Sequence, residues 1–121
     1  MHGMPLINSS EIKDLPVGFF DSGVGGLPYL ALAREKLPDE RFVYVADTLT
    51  YPYGSKSGDT IRRAVLQVME RFIGQIHPKC VVVACNTASV MALKDLRQHF
   101  EIPFIGVVPA VKPAAAFSEK K

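Results

Sequence analysis

Cysteine is scarce in this chain. The two present, Cys80 and Cys85, have neither Cys-x-x-Cys spacing nor a histidine cluster beside them, which excludes a disulfide framework and a zinc site; both thiols are expected to be reduced. Charge of one sign is scarce as well. Fourteen Lys and Arg against twelve Asp and Glu leave a net charge of +2, too small and too evenly paired for nucleic acid to be the main partner. No apolar run approaches the roughly 18 residues of a membrane span. The opening MHGMPLINSSEIKDLP lacks the basic-then-apolar grammar of a signal peptide, so the expected setting is the cytoplasm, with no membrane partner. Low-complexity tracts, internal repeats and internal linkers are missing too. What remains is one globular unit, whose 121 residues, 48% of them hydrophobic, suffice to bury a core.

Short apolar runs alternate with segments of helical period. Val17–Phe20 is a compact run that ends at Asp21, and LPYLALAREKLP then places Leu27, Leu30, Ala31, Ala33 and Leu37 on a helical stripe between Pro28 and Pro38. RFVYVAD reads as a second strand, followed by the turn-rich TLTYPYGSKSGD. Ile61, Val65, Val68, Met69, Phe72 and Ile76 recur at three and four in a long helix that His77-Pro78 ends and Ser57 or Asp59 caps. CVVVAC has almost no polar relief, as expected of a central parallel strand covered on both faces. NTASVMALKDLRQHF follows as a helix and FIGVV as a fourth strand. The pattern βαβαβαβ predicts an α/β fold, a doubly wound, mostly parallel four-stranded sheet flanked by helices.

In such sheets ligands bind just beyond the carboxyl ends of the strands. Three polar clusters fall there: Asp21-Ser22, the loop that begins at Asp47, and Cys85-Asn86-Thr87. Each has a plain structural explanation. Asp21 and Ser22 can cap the first helix, Thr87 can be an N-cap, and YPYG can be turn chemistry. All three at one sheet edge, with a thiol among them, favour a site. Cys85 ends a buried strand and opens a helix, where backbone N–H groups and the helix dipole favour a thiolate; the alternative is a buried structural cysteine, the role expected of Cys80. Asn86 and Thr87 add donors for a ligand carboxylate at a helix start. Nucleotide motifs fit poorly: Gly23 and Gly25 would need a glycine where Pro28 stands, and GSKSG lacks the first glycine of a P-loop. His2, His77 and His99 are expected to be solvated or structural.

FDSGVGGL, YVADTLTYPYGSKS, VVACNTAS and IGVVPAVKPA, in this order, resemble the first half of a glutamate racemase, and the resemblance runs from Val17 to Ala116. It implies one lobe of a two-lobe, cofactor-independent enzyme that interconverts L- and D-glutamate for peptidoglycan synthesis, cell wall biogenesis and cell shape. Carried over by motif, Cys85 would be one of two catalytic thiols and Asp21 would assist it, sharing its proton or orienting the substrate ammonium. Asp21, Ser22, Pro52, Tyr53, Gly54, Asn86 and Thr87 would line the glutamate site. The resemblance divides the chain into an extension at 1–16, the first lobe at 17–108 and the start of a connection at 109–121.

The GCTHYP-like motif that supplies the opposing thiol in such enzymes is not found in this chain. Cys80 cannot replace it, because five residues of strand put it about 16 Å away on the other face. The chain alone is therefore expected to be inactive or strongly impaired, and to self-associate through the lobe face left uncovered, with exchange of the segment Val107–Phe117 as one route. Racemases of aspartate or hydantoins, and a non-catalytic lobe that binds an amino acid or a partner, are the alternatives.

Overall fold

The computed structural model describes residues 9–48 and 56–107. After one helical turn, α1 (Ser9–Ile12), the chain runs through β1 (Val17–Asp21), α2 (Leu27–Lys36), β2 (Phe42–Ala46), α3 (Gly58–Ile76), β3 (Cys80–Val83), α4 (Asn86–His99) and β4 (Phe104–Gly106). The strands form one parallel sheet in the order β2-β1-β3-β4, so the α/β alternation expected from the sequence is present. The register sets Phe19 beside Tyr44 of β2 and Val82 of β3, and carries Asp21 to Ala46.

Two strand ends differ from expectation. The third strand stops at Val83 rather than Cys85, although Ala84 N still donates to Phe20 O at 2.8 Å, and the fourth stops at Gly106. The turn of α1 was not anticipated. Residues just after it are tied to the amino edge of the sheet: Lys79 N donates to Pro16 O at 2.8 Å and Lys79 Nζ to Lys13 O at 2.9 Å.

The two sheet faces are covered unequally. On one, α3 and α4 bury Phe20, Val81 and Val83 against Val65, Met69 and Leu96, all essentially out of water; each such side chain contributes about 1.5–3 kcal/mol of burial free energy. The long helix starts at Ser57, whose side chain accepts from Thr60 N at 3.2 Å, so of the two candidate caps it is Ser57 that acts. It ends at His77, the one left-handed non-glycine among the described residues (φ 53°), with the following proline preventing continuation.

On the other face α2 lies alone over Val17 and Phe19 and buries none of its own residues fully. Of the stripe expected to be buried, Leu30 and Ala33 are half-buried while Leu27, Ala31 and Leu37 are exposed. Val82 is likewise only half-buried, so β3 is sealed on the α3/α4 face and only partly covered on the α2 face. Among the described residues the expected full cover on both faces is not met, since one ten-residue helix, α2, lies on that face.

Candidate active site

The sheet changes direction of winding between β1 and β3: the chain leaves β1 for α2 on one face and β3 for α4 on the other. Such a switch point opens a crevice at the carboxyl ends of the two strands. Asp21-Ser22 and Cys85 stand at these two ends, and Ser22 Oγ lies 3.5 Å from Cys85 Sγ. Residues 63 positions apart in sequence thus meet across the switch point.

Cys85 is 8% exposed and its extended backbone (φ −107°, ψ 122°) makes it the N-cap of α4. Its Sγ accepts from Ala88 N at 3.5 Å, and its carbonyl from Ser89 N at 2.9 Å. The cap is therefore Cys85 itself rather than Thr87. Asn86 is exposed and Thr87 half-buried in the first turn of α4, where the opening N–H groups of a helix lack intrahelical acceptors. Ser89 secures the corner from beneath, its Oγ donating to Val83 O and accepting from Val107 N, both at 3.0 Å.

Asp21 is 5% exposed and belongs to the opposite, α2 side of the sheet. Its Oδ1 accepts from Ser22 N at 2.7 Å; its Oδ2 accepts from Gly26 N at 2.5 Å and from the Tyr44 hydroxyl at 2.9 Å. The carboxylate thus ties down the start of α2, which has no side-chain cap of its own. No hydrogen bond joins it to Cys85. Ser22 stands between the two, its N–H on Asp21 Oδ1 and its Oγ beside Cys85 Sγ. Gly26 is required by close approach: a Cβ there would sit 2.8 Å from Ala84 Cβ and 3.0 Å from Asp21 Oδ2.

Tyr44 is the residue that sequence reasoning passed over. Its hydroxyl lies between Asp21 Oδ2 and Gly23 O, the latter at 3.1 Å. Burial foremost, then the hydrogen bond to Asp21 and the charge of that carboxylate, push the phenol from 10.0 up to about 12. The available signal was period two in RFVYVAD, which puts Phe42 and Tyr44 on one side, together with the need of a half-buried phenol for a polar partner.

Cys80 packs in the cluster under α2 and Cys85 in the cluster under α3 and α4, so the two thiols occupy opposite faces. Burial pushes the Cys80 thiol up, partly offset by the Lys79 ammonium. His77 and His99 lie at the carboxyl ends of α3 and α4, His99 edge-on to Phe100 at 5.0 Å. Pro52, Tyr53 and Gly54 lie outside the described residues, as do His2 and most of Val107–Phe117. Asp47 is buried at the end of β2, with its N–H on Asp21 O at 2.8 Å. A groove of about 490 Å³ between Arg34, Leu37, Glu40 and Phe42 is at the amino end of β2, the wrong end of the sheet for this chemistry. Among the described residues no three His, Cys, Asp or Glu side chains gather as a metal-ligand set.

A parallel α/β lobe with a thiol and a hydroxyl facing each other across its switch point has the architecture in which doubly wound sheets bind small ligands at their carboxyl edge. Residues 29–121 match the Asp/Glu/Hydantoin racemase family, and the chain belongs to it. The glutamate racemase of Brucella ovis is 46% identical over 83% of this chain and 36% of its own length; that of Brucella anthropi is 48% identical over 95% and 43%. Among solved structures, Escherichia coli glutamate racemase in complex with L-glutamate and the activator UDP-MurNAc-Ala is 43% identical, with a TM-score of 0.77 over 84% of this chain and 39% of the other. The enzyme of Aquifex pyrophilus is 39% identical, with a TM-score of 0.74 over 88% and 41%. The chain therefore spans about two fifths of the length of these relatives.

Proposed function

We propose that this chain carries one half of a glutamate racemase site, the half that moves a proton on one face of the substrate Cα. The observation that carries the reading is the 3.5 Å approach of Ser22 Oγ to Cys85 Sγ at the switch point, in a fold shared with glutamate racemases at around 40% identity. The α-proton of an amino acid is weakly acidic, and its removal without a cofactor demands a positioned base. In this reading the Cys85 thiolate takes the proton: an S–H bond forms, the Cα–H bond breaks, and the electron pair passes into the substrate carboxylate. That carboxylate lies against the N–H groups of Asn86 and Thr87, where a helix start stabilises negative charge. A second acid then protonates the opposite face. Cys80 is on the wrong side of the sheet to serve, so the opposing thiol comes from outside this chain. Pro52, Tyr53 and Gly54 complete the pocket.

Glutamate is the favoured substrate because the relatives described above are glutamate racemases and the Escherichia coli structure holds L-glutamate. The cellular role that follows is supply of D-glutamate for peptidoglycan in the cytoplasm. Self-association through the α2 face belongs to the same reading, supported by the exposure of Val24, Leu27 and Leu32 there.

The test is proton NMR of L- and D-glutamate in heavy water with the purified chain. Slow loss of the α-proton signal from one enantiomer, without inversion and absent in Cys85→Ala, is the expected result. Exchange that survives Cys85→Ala overturns the assignment. No exchange, together with no protection of Cys85 by glutamate against alkylation, sinks the reading as a whole.

A further inference from the structure

The Asp21 carboxylate is held by three donors, and they are not equivalent. Ser22 N and Gly26 N belong to the loop that follows Asp21. Tyr44 alone comes from a different strand, fixed in register with Phe19 of β1. Its single hydroxyl proton lies between Asp21 Oδ2 and Gly23 O, two acceptors of the same loop. The phenol thus ties the glycine loop to β2, as the Asp21 carboxylate ties it to β1. Its ionisation near pH 12 leaves it a donor throughout the working range.

The two carboxylate oxygens are also unequally used. Oδ2 accepts two hydrogen bonds and Oδ1 one, while a carboxylate oxygen has room for two. Among the described residues the remaining acceptor position is on Oδ1, the oxygen bound to Ser22 N, and Ser22 is the residue whose Oγ meets Cys85 Sγ. We propose that Tyr44 is a positioning residue of the site: by saturating Asp21 Oδ2 it leaves Oδ1 as the oxygen that receives a substrate donor, and it holds Ser22 in place against Cys85. This rests on the reading of Cys85 as the proton-transfer group, but its test does not require turnover.

The two cysteines provide an internal control. Cys80 packs in the same cluster as Tyr44, whereas Cys85 belongs to the opposite face. A merely structural tyrosine, when lost, loosens its own face and exposes Cys80. A positioning tyrosine changes Cys85 and leaves Cys80 alone. The experiment measures iodoacetamide alkylation of each thiol in the 121-residue chain by peptide mass mapping, with and without Tyr44→Phe. The expected result is a fall in the Cys85 rate of about two- to tenfold, the worth of one hydrogen-bond donor aligned on the sulfur, with the Cys80 rate unchanged. An unchanged Cys85, or the two thiols accelerating together, overturns the proposal.

Ser22→Ala, at a half-buried loop position, probes the last link even if Tyr44→Phe fails to fold. It should slow Cys85 by a similar factor, and the double variant should add nothing further; a Cys85 rate indifferent to Ser22→Ala refutes the relay. A parallel arm adds glutamate to the parent chain. Absence of protection there removes the proposed substrate while the split between Cys80 and Cys85 still decides the role of Tyr44.

Discussion

Replacing Gly26 by Ala should destabilise this protein, against the usual sign for such a change. Gly26 has φ −84° and ψ −7°, a conformation open to any residue, so the lower entropy of the unfolded chain alone would favour Ala by about 0.4–1 kcal/mol. The added Cβ, however, would lie 2.8 Å from Ala84 Cβ, 3.0 Å from Asp21 Oδ2 and 3.1 Å from the Tyr44 hydroxyl. Carbon pairs rest at about 3.5–4.0 Å. Ala84 cannot retreat, because its N–H is bonded to Phe20 O at 2.8 Å; the loop must shift instead, which lengthens the 2.5 Å bond from Gly26 N to Asp21. Overpacking of this kind costs about 1–3 kcal/mol, and a weakened hydrogen bond to a buried carboxylate about 1.5–3 kcal/mol. After the entropy gain, a net loss of about 1.5–5.5 kcal/mol is expected, or a fall in Tm of roughly 6–22 °C for a chain of this size. Gly74→Ala is the matched control: it sits within α3 with nothing inside 4 Å of its added Cβ, and should raise Tm by roughly 2–4 °C. Thermal unfolding followed by circular dichroism reads both. A Gly26→Ala chain that melts at or above the parent refutes the close-approach argument.

The Tyr44 phenol titrates at about 12 in the fold against 10.0 as its ordinary value, so its contribution to stability is fully present below pH 10 and is lost as pH rises towards 12. Urea unfolding across that range should show the parent losing stability faster than Tyr44→Phe, and parallel curves would contradict the burial assigned to the hydroxyl. At Cys85 capping and the proposed proton transfer can be separated, since Ser is a preferred N-cap and Ala is not: Cys85→Ala should lose about 1 kcal/mol, whereas Cys85→Ser should keep its stability and still abolish glutamate exchange. Equal destabilisation by both would remove the capping role of the sulfur.

The order of strands and helices was legible because periods of two and of 3.6 are local properties of sequence. Strand ends were not. CVVVAC is apolar through Cys85, yet pairing with β1 runs only as far as Phe20 beside Val83, and composition carries no record of where a neighbour ends. The apolar stripe on α2 misled for a related reason. Leu27 and Leu37 satisfy the helical period yet stay exposed, because a period does not say how much of a neighbouring sheet lies beneath a helix.

For the site, Asp21, Ser22 and Cys85 could be found from topology alone, since a doubly wound sheet dictates that strand ends on either side of a switch point converge. For Tyr44 the period of RFVYVAD gives the side of the strand but not the partner, which is set by register between two strands more than twenty residues apart; nothing in FDSGVGGL or RFVYVAD states that Phe19 lies beside Tyr44. The same non-local fact alters what Asp21 does. Read as a chain end it is an acid free to approach a thiol; placed beside Tyr44 and Gly26 it is a clamp, with one oxygen filled and the other left beside Ser22. On the proposed reading, reactivity at Cys85 is set by the Ser22 hydroxyl just after β1, a helix start on α4 and, at one remove, a phenol on β2. The chain of contacts from Tyr44 through Asp21 and Ser22 to Cys85 exists only because the sheet order places β1 between β2 and β3, so on this reading strand order matters to the chemistry as much as the residues at the strand ends.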